Sequence, residues 1–336
     1  MTDQTQPATP QLEMESVPCD FCGAAETDPV LTSRDYLHGL PGEFHVVQCR
    51  RCGLRRANPR PTVATLGVAY PSSYQVYDAN MKTPRPPRGF LRWALVNYRD
   101  YPFGHRAPAL LRWLAGPWAR AALRSRYSIG YMPWQGDGRL LDLGSAVGRY
   151  VGQMAAAGWK AEGLELSEEA VATGCAAGLK IRQGTLPGTD LPPESYDVVT
   201  MWHVLEHVPS PAATLKAIHG ILKPQGRLLV VVPVMDSLNA RWFGPSWMGV
   251  DLPRHLTHFT RATLRRHVEA AGFTVEEIVP IRRPAFAHRS LANLAAASGK
   301  SWHRSLSQSP TVARWISYLA ALLGQCDEAA LIARKA

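Results

Sequence analysis

Between residue 136 and about residue 283, short apolar runs alternate with segments of helical period. Strands are predicted at 139–143, 159–164, 179–183, 196–202 and 226–232, with helices near 148–157, 167–177 and 211–222. Such alternation argues for a parallel sheet covered on both faces. Lys223-Pro-Gln-Gly226 predicts a turn ahead of the fifth strand. Arg261 to Gly272 reads as a helix closed by glycine, and Phe273 to Val279 as a sixth strand. A helical pattern near 311–323 precedes Ala329-Ala-Leu-Ile-Ala333, which reads as a last strand.

Ahead of this region the pattern changes. Residues 18–60 carry short β-type runs such as Phe44-His-Val-Val-Gln48 among paired cysteines. Residues 61–135 are rich in Pro, Arg and aromatics, with helical stretches near 89–99 and 107–126. The expected division is a polar, disordered lead-in over 1–17, a ribbon over 18–60, a basic helical cap over 61–135, and an α/β domain over 136–336. A helical insertion is expected within that domain at about 284–325.

The chain has 336 residues and a net charge of +10. Ten basic residues, Lys82 and nine arginines, lie between Met81 and Gly130 against one acid, Asp100, so this segment carries nearly the whole excess. Structural cap, peripheral membrane contact through 85–126 and nucleic-acid binding are all readings of it. No apolar run approaches the roughly 18 residues that a spanning helix needs. A cytoplasmic location is the expectation, and there the six cysteines point to metal or free thiols rather than disulfides.

The most informative stretch is Arg139-Leu-Leu-Asp-Leu-Gly-Ser-Ala-Val-Gly-Arg-Tyr150, with Glu165 closing the next apolar run. An apolar strand ends in a glycine loop that leads into a helix, so backbone can approach a ligand. An acid 21 positions after Gly144 suits a ribose with two free hydroxyls. A dinucleotide fingerprint would need glycine where Ala146 and Arg149 stand, and pyrophosphate would be repelled by Asp142. The pattern resembles the first motif of the class I S-adenosylmethionine-dependent methyltransferases, in which many members carry Gly in place of Ala146. That resemblance implies a Rossmann-like seven-stranded, mostly parallel sheet with its last strand antiparallel. It also implies S-adenosyl-L-methionine as cofactor. Asp142, Gly144, Ser145, Ala146 and Gly148 would line the methionine side and Glu165 would hold the ribose, with Leu166 also among the cofactor-binding residues. Gly184, Thr185 and Leu186 would flank adenine, and Trp202 would lie near the methyl group.

Cys19-Asp-Phe-Cys22-Gly23 and Cys49-Arg-Arg-Cys52-Gly53 repeat one knuckle, C-x-x-C-G. Two such knuckles bring four thiolates to tetrahedral spacing, which predicts a closed, structural Zn site at Cys19, Cys22, Cys49 and Cys52. The residues around the second knuckle resemble bacterial methyltransferases with an N-terminal zinc ribbon. That likeness implies a small-molecule or glycan acceptor, such as a sugar or polysaccharide precursor.

Methyl transfer is an in-line displacement at an activated carbon, so alignment supplies much of the rate and a hydroxyl acceptor also needs a base. His203, on the loop leaving the fourth strand, is the first candidate, with His207 read as structural. Asp251-Leu-Pro-Arg-His-Leu-Thr-His-Phe259 adds His255 and His258, expected over the acceptor. His203-Val-Leu-Glu-His207 also spells a zinc-peptidase motif, but that motif needs a long helix, and Pro209 and Pro211 follow at once. An O-methyltransferase of a small metabolite is the leading expectation. An RNA methyltransferase and a catalytically silent binding protein of the same fold are its alternatives.

Overall fold

The computed structural model describes residues 12–70, 85–123 and 130–336. Pro71 to Tyr74, Lys82, Arg124 and Arg126 lie outside the described residues, as do the first eleven positions of the expected lead-in. The end of that lead-in is structured: β1 (Met14–Glu15) pairs antiparallel with β5 (Arg60–Pro61).

The cysteine segment forms β2 (Thr27–Ser33), β3 (Phe44–Cys49) and β4 (Arg55–Ala57), a meander closed by the two knuckles. Two helices follow, α1 (Gly89–Tyr98) and α2 (Ala109–Leu123). The main sheet is then built from β6 (Arg139–Leu143), α3 (Arg149–Ala156), β7 (Lys160–Glu165), α4 (Glu168–Ala176), β8 (Ile181–Gln183), β9 (Tyr196–Trp202), α5 (Pro211–Ile221) and β10 (Leu222–Pro233). Helix starts follow local chemistry. The Ser167 and Ser210 side chains accept from Ala170 and Ala213 amides, and Pro211 opens α5 where no amide partner is lost. The chain continues through α6 (Leu238–Phe243), β11 (Thr257–His258), α7 (Arg261–Ala270), β12 (Phe273–Ile281), α8 (Pro284–Ser298), α9 (Ser301–Ser307), α10 (Pro310–Leu322) and β13 (Glu328–Lys335).

The sheet order is β12-β13-β10-β9-β6-β7-β8, with β13 antiparallel to both neighbours. The chain leaves β6 toward β7 on one side and returns to β9 on the other. The strand order therefore reverses beside β6, and a crevice opens at the carboxyl ends of β6 and β9, the usual place for ligands in such sheets. The expected turn at 223–226 is instead an irregularity inside β10. Its pairing with β9 shifts between Leu222 and Arg227, and Gln225 takes a positive φ of 63°.

Two apolar layers cover the sheet. On one face Leu141, Leu143, Val199 and Met201 pack with α5 and α7 and with Cys19, Cys49 and Leu54 of the ribbon. On the other, Leu140, Val198, Leu229 and Val231 meet Ala94, Leu95, Ala119 and Leu123 from α1 and α2. The basic segment thus lies over one face of the sheet, while Leu110, Leu111, Trp113, Leu114 and Trp118 of α2 remain exposed.

The ribbon shares its sheet with the distal half of the chain, because β11 pairs antiparallel with β4. Asp20, inside the first knuckle, accepts hydrogen bonds from Ser210 Oγ (2.6 Å) and the Ala212 amide (2.9 Å) at the start of α5. The strongest tie is Arg254, fully buried. Its guanidinium donates to both carboxylate oxygens of Asp35, to Asp251 and to the Ala69 carbonyl. Asp35 also accepts from the amides of Leu37, His38 and Leu40. Burial works against its charge, and Arg254 with these amides reverses that and holds its pKa below the ordinary value. Removing one partner strands a buried charge. Arg254→Met is expected to lower the unfolding free energy by about 3–5 kcal/mol, measured from denaturant midpoints; a change under about 1 kcal/mol would contradict this role for the pair.

Candidate functional site

A cavity of about 1200 Å³ opens at the carboxyl ends of the central strands. That exceeds the common small-molecule range of roughly 300–1,000 Å³ and leaves room for two ligands side by side. One end is walled by Gly144, Ala146, Glu165, Leu166, Gly184, Thr185 and Leu186. The middle and far end carry Trp202, His203, His207, Trp247, Asp251, His255 and Phe286, with Tyr70 and Leu66 from the segment after the ribbon.

The loop after β6 explains the first end. Gly144 has φ 69°, and a Cβ there would lie 2.4 Å from Val204 Cγ2, so only glycine fits. Ala146, where many members of the family carry Gly, also adopts a left-handed φ of 47°, at a strain of about 1–2 kcal/mol. Its amide donates to Glu165 Oε2 at 2.8 Å, and the Ser167 amide donates to Oε1 at 2.9 Å. Glu165 thus holds the loop, and Ala146 lines the cavity. Thr185 is set by its amide bond to Thr189 Oγ1, and the Leu186 carbonyl accepts from Thr214.

Four of the residues expected at the site stand elsewhere. Asp142 is buried behind the loop and accepts from Thr200 Oγ1 at 2.7 Å, and burial, with Glu165 adding to it, raises its pKa to about 7. Ser145 lies beneath the loop with its hydroxyl toward Gly163. Gly148, at φ 82°, packs against Ile181 and Leu179 and makes room for the neighbouring strand. His258 sits in β11, with Nε2 donating to the Val250 carbonyl at 2.8 Å, and burial lowers its pKa to about 4. None of the four is on the cavity wall.

His203 reaches the cavity but is poorly suited to accept a proton. Its Nδ1 faces Glu206 at 3.3 Å and its Nε2 faces Glu328 at 3.0 Å. Burial alone would depress its pKa, but the charge of Glu328 and the bond to Glu206 outweigh that and raise it to about 9. Arg283 completes the cluster through Glu328 Oε1 at 2.6 Å. His255 lines the cavity with a pKa far below the usual histidine range, chiefly from burial, so it is neutral. His207, expected to be structural, lines it too, with a pKa lowered mainly by burial and with Tyr70 Oη 2.8 Å from its Nδ1. The H-x-x-E spacing hides this pairing, because Tyr70 is 137 positions away.

At the cysteine knuckles, Cys19 Sγ lies 3.5 Å from Cys52 Sγ and Cys22 Sγ 3.5 Å from Cys49 Sγ, and all four sulfurs fall within 4.8 Å of one another. Tetrahedral thiolates around an ion at ~2.3 Å would be about 3.8 Å apart, close to what is seen. For Cys49 burial raises the pKa, but amides of the knuckle directed at the sulfur bring it down to about 7.

A sequence-family description, "Methyltransferase domain", matches residues 116–278. A ubiquinone biosynthesis O-methyltransferase from Burkholderia vietnamiensis is 35% identical over 162 residues, spanning 42% of this chain and 69% of the relative. The chain belongs to the class I S-adenosylmethionine-dependent methyltransferases. The enzyme of the same description from Bordetella pertussis is 36% identical over 95 residues, and the chain spans about two fifths of its length (39%). A solved S-adenosylmethionine-dependent methyltransferase from Mesorhizobium loti is 18% identical, with a TM-score of 0.42 over 60% of this chain and 93% of that one.

The His203 cluster predicts that the stability of the fold depends on pH. A folded pKa of about 9 lies above the ~6.5 of an unfolded histidine, so the stabilisation is complete below pH ~6.5 and is lost as pH rises through 9. The unfolding free energy is expected to fall over that window, by up to about 3 kcal/mol. His203→Gln should flatten the profile; a wild-type profile as flat as the variant's would contradict the assignment.

Proposed function

We propose that the chain transfers a methyl group from S-adenosylmethionine to an oxygen of a small acceptor held in the same cavity. The observation that carries this reading is Glu165, on the cavity wall beside a left-handed backbone loop with its carboxylate set by two amides.

The cavity fits the cofactor in chemistry as well as size. Its donor end presents a carboxylate and backbone, which suit ribose hydroxyls and a phosphate-free cation. Trp202 lines the wall, and its indole Nε1 is buried with no partner among the described residues, a donor left for a ligand. S-adenosylmethionine, when bound, supplies a methyl carbon already activated by its sulfonium. Glu165 would hold the ribose, and Gly144 and Ala146 would admit the methionine portion. Gly184, Thr185 and Leu186 would border the adenine. The neutral His207 and His255 line the acceptor end, where they would orient an acceptor hydroxyl, whereas His203 is held between Glu206 and Glu328.

Trp247, Met248, Phe286 and Leu66 make much of the acceptor end apolar, with Arg283 and Arg289 at its edge. These walls suit a ring-bearing acceptor with an anionic substituent better than a bare sugar. The relatives from Burkholderia and Bordetella, described as acting in ubiquinone biosynthesis, support an oxygen acceptor. Cys19, Cys22, Cys49 and Cys52 would hold a structural zinc, whose part is to fix the ribbon against α5 and α7.

Calorimetry with S-adenosylmethionine tests the reading. The wild type is expected to bind, and Glu165→Ala and Glu165→Gln to lose at least about tenfold in affinity, since bonds to a charged acceptor contribute ~1.5–3 kcal/mol. Equal affinity in all three would overturn it.

A further inference from the structure

Glu206, His207 and His255 come from two segments some fifty positions apart, yet one ligand-type atom of each lies within 4.8 Å of the others. The placement is built rather than incidental. The Glu206 backbone carbonyl accepts from the amides of Leu256 (2.8 Å) and Thr257 (3.0 Å), which fixes the loop of His255 against it. That loop is fixed in turn by β11, through its pairing with β4, and by the Ala57 amide donating to the Leu256 carbonyl at 2.9 Å.

Each side chain is oriented as a metal ligand would be. His255 Nδ1 lies 2.9 Å from the Gly249 carbonyl and His207 Nδ1 3.1 Å from the Arg254 carbonyl. A carbonyl can only accept, so His255 carries its proton on Nδ1. At His207 a proton on Nδ1 serves the Arg254 carbonyl and Tyr70 Oη (2.8 Å) together, since a phenol oxygen can accept. Both rings then present Nε2, the arrangement that accompanies metal-bound imidazoles. Glu206 is 1% exposed; its Oε1 meets His203, while Oε2 is buried with no hydrogen-bond partner among the described residues. Leaving a carboxylate oxygen dry and unpaired is unfavourable unless something cationic takes it.

We propose that Glu206, His207 and His255 form a second metal site, distinct from the four cysteines, that takes a divalent transition-metal ion of the zinc or cobalt type. Two imidazoles and one carboxylate select such ions over calcium or magnesium, which favour oxygen. Ligands at ~2.0–2.2 Å from one ion lie about 3–3.5 Å apart, so closing from separations of at most 4.8 Å takes small side-chain movements. His207, His255 and Asp251 all line the cavity, so the coordination sphere is open toward it. Asp251, with Oδ2 3.7 Å from His255 Nε2, is within reach as a further ligand, and an oxygen of a cavity ligand could fill what remains. The peptidase spelling contributes nothing here, because His203 is committed to Glu206 and Glu328. The site goes beyond the methyl-transfer reading, since metal content is measured without donor or acceptor.

The test is metal content after loading with zinc and desalting, by mass spectrometry, on the full chain. The wild type is expected to hold two zinc ions and Cys22→Ser one. Glu206→Gln, which keeps the contact to His203, and His255→Ala are also expected to hold one. Circular dichroism and donor calorimetry on the same samples separate loss of the metal from loss of the fold. Cobalt added to wild type loaded with one zinc gives a second readout that needs no variant. The site predicts ligand-field bands without sulfur-to-metal charge transfer. One zinc in the wild type with no cobalt spectrum, or two zinc ions retained in both Glu206→Gln and His255→Ala, would overturn the proposal.

Discussion

The loop after β6 bends through two left-handed residues, Gly144 and Ala146, and is held in that bend by Glu165 from the end of the adjacent strand. Parallel pairing of β6 with β7 places the loop and the acid side by side, with Leu143 opposite Leu164 just before they diverge. An alanine tolerates positive φ only where its surroundings over-determine it. Here the bond to a carboxylate that also accepts from Ser167 supplies the constraint. Glu165 and the loop it holds both stand on the cavity wall.

The far end of the cavity depends on a different constraint, the docking of the cysteine ribbon against the distal half of the chain. Arg254 buries its charge between Asp35 and Asp251, and β11 adds a strand to the ribbon sheet. Asp20 caps the start of α5 from inside a knuckle. These ties put Tyr70, His207, Asp251 and His255 on one wall although they span nearly two hundred positions. The ribbon is therefore part of how that end of the cavity is shaped.

Much of this was legible in the sequence where chemistry is local. The alternation of apolar strands and amphipathic helices, the two knuckles and the Gly144–Glu165 spacing are short-range patterns, and the sheet and the cysteine cluster match them. What escaped was non-local. Asp142 reads as a ligand because it precedes the glycine loop, yet strand alternation turns it to the opposite face from Leu141 and Leu143, toward Thr200. Gly148 reads as a ligand glycine but serves close packing against Ile181. His203 reads as a base until Glu328, 125 positions away on β13, is seen against it. His207 gives no sign of its place, because its partners Tyr70 and His255 are supplied by folding alone.

The central claim is that Glu165 and the loop it restrains form the nucleoside end of the cavity. A crystal structure of the protein with S-adenosylhomocysteine tests it most directly. The account predicts both ribose hydroxyls within hydrogen-bond distance of Glu165 and the amino-acid portion over Gly144 and Ala146. A ligand bound away from Glu165, or a cavity still empty in crystals saturated with it, would contradict the account.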